Sequence, residues 1–339
     1  MERSRPGSVA LVLCLAAGLA GVVGGGGLPA AAAAPLPVDR LHFGLANGPG
    51  DLGWMTATGG WRYRYQYLAG GVNTANPWQT WQDPAQPPGQ FVVDYSRASA
   101  AHGYVPVFTY YELLQSSPST GSSESDRDWS NLHDTATMRA YYSDVVVLMK
   151  RLGEYGGAAV VHVEPDLWGY LQQRAAGAAA GSLSAVVGSS GVADVAGIPD
   201  TVAGFADALL HLRDRYAPNV TMAIHASMWG SGEDVATSTD PSLDATAAAG
   251  STAAFLDSAG ITSNAYGSTW DLVFHDVDDH DAGWWEAQGA DNAGFTHWWD
   301  PANHRLPDSP AGWSGWPPCT PAPGDRRSPG RSRSATSST

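Results

Sequence analysis

Residues Ala158–Gly169 read AAVVHVEPDLWG and carry the strongest structural signal in the chain. The valines in this run are β-branched and favour a buried strand. Pro165 cannot donate a hydrogen bond to a sheet ladder, so the strand is predicted to end at about Glu164. Glu164 and Asp166 are therefore expected at the C-terminal end of a strand, which is where parallel α/β proteins place their chemistry.

Similar apolar or alternating runs recur along the chain, with helix-like segments between them. Besides the run that ends at Glu164, strands are predicted over residues 41–45, 62–67, 105–110, 221–225 and 271–276, with a weaker seventh signal over 294–298. Strands that alternate with helices and leave through polar loops indicate a parallel βα architecture. No GxGxxG motif follows an early strand, as a nucleotide-binding sheet would require. The pattern predicts an α/β fold of the (β/α)8 TIM-barrel-like type, with the last one or two strands unaccounted for at the C-terminus.

Helices are predicted between these strands from the spacing of apolar residues and from capping residues. They cover residues 95–102, 134–154, 199–216 and 252–259. Two segments rich in small or polar residues are assigned differently. Residues 116–128 are predicted to form a polar loop, and residues 172–195 a surface excursion.

The two ends of the chain differ in composition from its centre. Residues 1–34 hold two arginines, an apolar run and a cluster of alanines, which is typical of a secretory signal peptide cleaved near Ala34. The barrel domain is then predicted over residues 35–316, and Cys319 is the only cysteine of the mature chain, so no internal disulfide is expected. Residues 317–339 lack aromatic side chains and periodicity. They are interpreted either as a disordered tail or as a segment in an altered reading frame.

The composition limits the partners that the protein can bind. The formal net charge of −15 argues against nucleic acid and anionic membrane surfaces as partners. Apart from the N-terminal run, no segment is long and apolar enough to span a bilayer. Fourteen tryptophans, many of them in loop-like contexts, either pin loops onto the core or offer flat platforms for sugar rings. A secreted monomer that binds a polysaccharide or oligosaccharide is expected.

Carboxyl groups dominate the polar residues that are expected at the mouth of the barrel. The chain has no Gly-x-Ser-x-Gly elbow and no cysteine near its centre, which disfavours acyl-enzyme chemistry. Cleavage of a glycosidic bond, in contrast, needs one protonated carboxyl group and one ionised carboxylate. Glu164 is the strongest candidate for one of these roles, and either Asp166 or Glu112 is its expected partner.

Strand alternation predicts that Val160, His162 and Glu164 share one face of the sheet. His162 is therefore interpreted either as a residue that orients Glu164 or as a satisfied core histidine. Substrate-binding roles are expected for four tryptophans and one further histidine, namely Trp168, Trp229, Trp298, Trp299 and His225. No cofactor is predicted.

A dense run of histidines and aspartates occupies residues 275–281. It matches neither an EF-hand nor an HExxH motif, so a solvated acidic loop is the first interpretation, and the predicted site contains no metal. A metal-dependent hydrolase is the alternative interpretation. Its ligands would be His275, Asp276, Asp278 and His280.

A secretory leader, abundant tryptophan and an apolar strand ending in Glu-Pro-Asp resemble secreted bacterial barrel glycoside hydrolases. Locally, Val163–Leu167 is similar to the strand-end Glu-Pro-Asp of family 6 cellulases. The resemblance implies a barrel that hydrolyses O-glycosyl bonds in a polysaccharide, with Glu164 as an essential carboxyl group. The chain carries neither the Pro-Asp-Arg-Asp-Cys nor the Lys-Pro-Pro-Gly-Glu segment of that family, so no particular sugar is implied. A carbohydrate-binding barrel without catalysis is the alternative.

Overall fold

The computed structural model describes residues 36, 40–234, 243–265 and 267–275. Within these residues six strands form one parallel sheet, in which every strand pairs with the next strand along the chain. The sheet curls into a half-barrel. The six predicted strands and the α/β class are confirmed. The strands are β1 (Phe43–Ala46), β2 (Trp61–Ala69), β3 (Val105–Tyr111), β4 (Ala159–Val163), β5 (Val220–His225) and β6 (Leu272–Phe274).

Helices connect the strands, and four of the described helices, including the two longest, begin at a residue whose side chain caps the helix. The side chain of Asp134 accepts a hydrogen bond from the backbone N–H of Thr137, and the side chain of Thr201 accepts one from Gly204. The long helices predicted over 134–154 and 199–216 are thereby confirmed. The helices are α1 (Leu52–Thr58), α2 (Gln90–Ala101), α3 (Glu124–Leu132), α4 (Thr135–Tyr155), α5 (Pro165–Ala175), α6 (Val202–Tyr216) and α7 (Ala245–Ser258).

The sheet has an apolar core on each of its faces. Val161 and Val163 of β4 pack in the larger core, between the sheet and the helices. Val160 lies on the concave face, in a smaller cluster with Tyr63, Val105, Val107, Ala223, Leu272 and Phe274. Successive residues of β4 therefore face opposite cores, as strand alternation predicts.

One of the loop predictions is wrong, and the structure departs from a second in part. The predicted loop over residues 116–128 contains the start of α3, whose N-cap Ser123 accepts a hydrogen bond from the N–H of Asp126. This serine–acid spacing is a helix start signal, and it outweighs the polar composition of the segment. The predicted surface excursion over residues 172–195 continues α5 and then passes through short 3-10 turns. Ala180, Val187 and Val195 of this segment are buried in the larger core, whereas Ala178 and Ala179 are exposed.

Several predictions concern residues outside the described part of the chain. These are the signal peptide over residues 1–34, the seventh strand over 294–298 and the tail over 317–339. The predicted barrel domain, residues 35–316, is described only as far as residue 275. Among the described residues, no helix combines the length and the apolar composition needed to cross a membrane.

Candidate active site

The backbone turns sharply at Glu164, between β4 and α5. Glu164 adopts a left-handed conformation, with φ 44° and ψ 70°, and Pro165 then begins α5. Such a conformation costs a residue other than glycine roughly 1–3 kcal/mol and is concentrated at functional sites. The turn also removes the Glu164 carboxyl group from the face that strand alternation predicts. Its oxygen Oε1 instead accepts hydrogen bonds from the backbone N–H groups of Glu112, at 3.1 Å, and Leu113, at 3.0 Å.

The environment of Glu164 favours its protonated form. Its side chain is 1% exposed, and burial raises its pKa to about 8, with a smaller contribution from the Asp166 charge. The two backbone hydrogen bonds oppose this rise. The nearby hydroxyl of Tyr141 also lowers the pKa, although no hydrogen bond of ordinary geometry joins it to Glu164. At neutral pH Glu164 is therefore a neutral carboxylic acid.

Glu112 follows the end of β3 and lies beside Glu164. It is fully buried, and neither of its carboxyl oxygens has a hydrogen-bond partner of ordinary geometry. Burial, together with the charges of Asp144 and Glu164, raises its pKa to about 9, while the backbone of Gly71 lowers it. Glu112 is thus a second neutral carboxylic acid at the same end of the sheet.

Asp166 is the carboxyl group of this region that reaches solvent. It lies half-buried in the first turn of α5 and accepts a hydrogen bond from the hydroxyl of Tyr111 at 3.0 Å. Because β3 and β4 are parallel neighbours, Tyr111 and Asp166 meet at one edge of the sheet. All three predicted catalytic residues, Glu112, Glu164 and Asp166, are therefore brought together at this edge.

Asp128 of α3 joins this group, although it was not predicted from the sequence. It is 2% exposed, and burial, followed by the charges of Glu164 and Asp166, raises its pKa to about 8. The start signal at Ser123 could have shown that the segment is helical, but not that the helix returns to the sheet edge. We refer to Glu112, Asp128, Glu164 and Asp166 as the acid cluster.

A chain of hydrogen-bonded side chains crosses the concave face of the sheet. It lies nearer to the N-terminal ends of the strands than the acid cluster does. The hydroxyl of Thr109 donates to the hydroxyl of Tyr65 at 2.7 Å and lies 3.1 Å from Nδ1 of His162. The other ring nitrogen of His162, Nε2, lies 3.0 Å from Nδ1 of His225. Burial lowers the pKa of His162 well below its ordinary value, so its ring is neutral. His162 is a satisfied core histidine and does not orient Glu164, because the left-handed turn moves that carboxyl group away.

The predicted substrate-binding residues have different locations. Trp168 is 1% exposed, its indole N–H donates to the carbonyl of Val163 at 2.9 Å, and its ring packs in the larger core. Its predicted role as a sugar platform is wrong, because no face of the ring is open. His225 is buried in the concave chain of hydrogen bonds. Trp229 is half-buried, with its ring 4.8 Å from that of Tyr170, and Trp298 and Trp299 lie outside the described residues.

The metal-binding alternative concerns residues that are mostly outside the described part. Nδ1 of His275 lies 3.2 Å from the carbonyl of Ala226, whereas Asp276, Asp278 and His280 are not described. Across residues 40–234, 243–265 and 267–275, no group of three histidine, cysteine or acidic side chains is placed to hold a metal ion.

A cavity of about 350 Å³ lies apart from the acid cluster. It is bounded by the second half of α5, by residues 230–232 and by Ser251 of α7. The side chains that line it are amides, hydroxyls and alanine, and none of them can exchange a proton at ordinary pH. The acid cluster is therefore the stronger candidate for chemistry.

Because these acidic groups are buried, we expect the protein to lose stability as the pH rises. In the unfolded chain Glu112 ionises near its ordinary pKa of 4.5, whereas in the folded protein it stays neutral up to about pH 9. The unfolded state therefore binds fewer protons between these values, and the free energy of unfolding falls across this range. We expect Glu112→Gln to flatten this fall and to raise Tm at pH 9 by about 5 °C, corresponding to about 2 kcal/mol.

Thermal unfolding followed by circular dichroism between pH 5 and 9 measures this effect. Glu154→Gln is the matched control, because Glu154 is exposed and pairs only with Arg151 within its own helix. A Glu112→Gln variant whose Tm follows that of the wild-type protein at every pH would show that Glu112 ionises normally in the folded state.

Comparison of the chain with protein-family models, with curated proteins and with solved structures finds no match.

Proposed function

We propose that the protein is a secreted glycoside hydrolase that cleaves O-glycosidic bonds in a polysaccharide at the acid cluster. One observation carries this proposal. The solvent-reaching carboxyl group of Asp166 lies at the C-terminal edge of a parallel sheet, next to the buried acids Glu164 and Asp128, whose pKa values are raised to about 8. Perturbed acids gathered at such an edge are typical of catalytic sites.

The proposed chemistry assigns different roles to these acids. Asp166 is the group that meets the substrate, because it is the one that solvent reaches. Glu164 holds a proton at neutral pH and acts through Asp166, as a positioning and proton-holding residue. In this scheme Asp166 passes the proton of Glu164 to the leaving glycosidic oxygen and then takes a proton back from the attacking water, which supplies the acid and the base that glycoside cleavage requires. The resemblance to secreted barrel glycoside hydrolases and the abundant tryptophans support the same substrate class.

We also infer that the described strands are the first six of a (β/α)8 barrel. The sequential order β1 to β6 and the curvature of the sheet support this inference, since each strand of a TIM barrel lies beside the previous one. In a complete barrel the remaining strands would pair with the edges of β6 and β1.

Incubation of the secreted protein with a panel of polysaccharides tests the proposed activity. The panel contains cellulose, xylan, mannan, starch and chitin, and the release of reducing ends is measured over time. We expect reducing ends from at least one neutral polysaccharide, with a rate that falls in Glu164→Gln. A protein that releases none from any member of the panel is not the proposed hydrolase.

The burial of Glu112 and Glu164, at 0% and 1% exposure, favours a second candidate function. In this alternative the acids have a structural role, and the barrel binds carbohydrate without cleaving it. Retention of the protein on insoluble glycans, with no reducing ends released during a long incubation, would support this function over hydrolysis.

A further inference from the structure

Three tyrosines form a continuous strip on the concave face, beside the acid cluster. We call Tyr65 and Tyr67 of β2 and Tyr111 of β3 the tyrosine strip. The ring centroids of Tyr65 and Tyr67 lie 5.2 Å apart, and those of Tyr67 and Tyr111 lie 6.3 Å apart. Both pairs are edge-to-face, which is a preferred geometry for aromatic rings.

The two outer members of the strip are held in place by hydrogen bonds. The hydroxyl of Tyr65 accepts from Thr109, and the hydroxyl of Tyr111 donates to Asp166. Tyr67 lies between them and is 45% exposed. Few other large aromatic side chains of the described residues face solvent to this extent. Its ring is thus positioned by fixed neighbours, while its surface is open. A rigid, exposed ring of this kind offers contact area at a low cost in conformational entropy.

We propose that Tyr67 binds an uncharged pyranose ring of the substrate in a subsite next to Asp166. This inference rests on the proposed function and assigns its substrate class. The ring of Tyr67 contacts that of Tyr111, whose hydroxyl lies 3.0 Å from Oδ2 of Asp166, so a single oligosaccharide can contact both the ring and the carboxylate.

The surrounding charges and the shape of the ring select the sugar. Glu124 pairs with Arg127 at 3.8 Å, so the carboxyl group of Asp166, which reaches solvent beside Tyr111, is the charge that an incoming sugar meets. An anionic sugar such as a uronic acid would therefore be repelled. A flat aromatic face packs best on a pyranose whose substituents are equatorial, because the axial C–H groups then form an apolar surface. The strip is accordingly suited to a neutral β-linked glucan or xylan.

Binding and kinetics of Tyr67 variants test the proposal. The probes are cellohexaose, xylohexaose and maltohexaose, with binding measured by calorimetry and turnover by product analysis. We expect Tyr67→Ala to raise Kd and KM for cellohexaose or xylohexaose about tenfold, with kcat within about twofold of wild type. Tyr67→Phe keeps the ring and should retain wild-type binding. Tyr104→Ala is the control. Tyr104 directly precedes β3, so it lies at the N-terminal ends of the strands, opposite to the ends that carry the acid cluster.

The outcomes separate this inference from the proposed function. Binding that weakens in Tyr67→Ala, in a protein that hydrolyses none of the probes, supports the subsite and contradicts the hydrolase. Turnover of a hexasaccharide with unchanged KM in Tyr67→Ala supports the hydrolase and overturns the subsite. Binding of none of the three hexasaccharides also overturns the subsite, while reducing-end release from polysaccharide in the same preparation reports separately on hydrolysis.

Discussion

Glu164→Gln is expected to lower kcat/KM on the polysaccharide substrate by about 10²–10⁴-fold, because Asp166 loses the proton that Glu164 holds for it, and the loss of general acid–base catalysis usually has this size. Glutamine keeps an oxygen that can accept the backbone hydrogen bonds from Glu112 and Leu113, so the local fold should persist. What the substitution removes is the proton that burial holds on Glu164 at neutral pH. Asp166→Asn should have an effect of the same size, because it removes the carboxylate that reaches solvent.

The pH dependence of the rate distinguishes this role from a purely structural one. The wild-type rate should fall as the pH rises through about 8, where Glu164 loses its proton, and Glu164→Gln should remove this fall. The double variant Glu164→Gln/Asp166→Asn should be little slower than the slower single variant, because residues that act together are not additive. Glu154→Gln serves as the control, and wild-type turnover in both single variants would falsify the assignment.

Asp144→Ala is expected to reduce the free energy of unfolding by about 3–5 kcal/mol. Asp144 of α4 is 2% exposed and accepts hydrogen bonds from the indole of Trp78, at 2.7 Å, and the hydroxyl of Tyr110, at 2.8 Å. The amide of Gln79 donates to its other oxygen. Alanine would leave the buried indole of Trp78 and hydroxyl of Tyr110 without a partner in the interior, and each unsatisfied buried donor is costly; the half-buried amide of Gln79 would lose its bond as well.

Urea unfolding followed by tryptophan fluorescence measures this loss. Asp94→Ala is the matched control, since Asp94 is exposed and its side chain bonds Gln90 within the same helix. The control should change the free energy of unfolding by less than about 0.5 kcal/mol. If Asp144→Ala were as stable as Asp94→Ala, the three hydrogen bonds would contribute nothing, and the connection between α4 and the end of β3 would have to lie elsewhere.

The strands were predictable because their signals are local. Alternating and β-branched runs identify a strand whatever surrounds it, and Pro165 marks the end of β4 because it lacks an N–H group. The meeting of Tyr111 with Asp166 also follows from sequence, once two neighbouring strands are assumed to be parallel. These features need no knowledge of distant packing.

The orientation of individual side chains was not predictable in the same way. The alternation rule assumes an extended backbone, so it fails at Glu164, where φ is positive. Trp168 lies one turn into a helix, and only the packing of that helix shows that its ring is enclosed. Asp128 approaches the acid cluster through the return of α3, which depends on contacts far away in the sequence.

The order of the strands has a consequence for how the protein is made. Because each strand pairs with the next one along the chain, the sheet can be extended by one βα segment at a time, beginning at the N-terminus. Each addition closes only the loop between consecutive strands, which keeps the entropy of closure modest. Growth of this kind leaves the newest strand as a temporary open edge until its successor pairs with it. The outer edge of β1 stays open for longer, because the described strands pair only with its other side, so this first strand is the more exposed to misassembly.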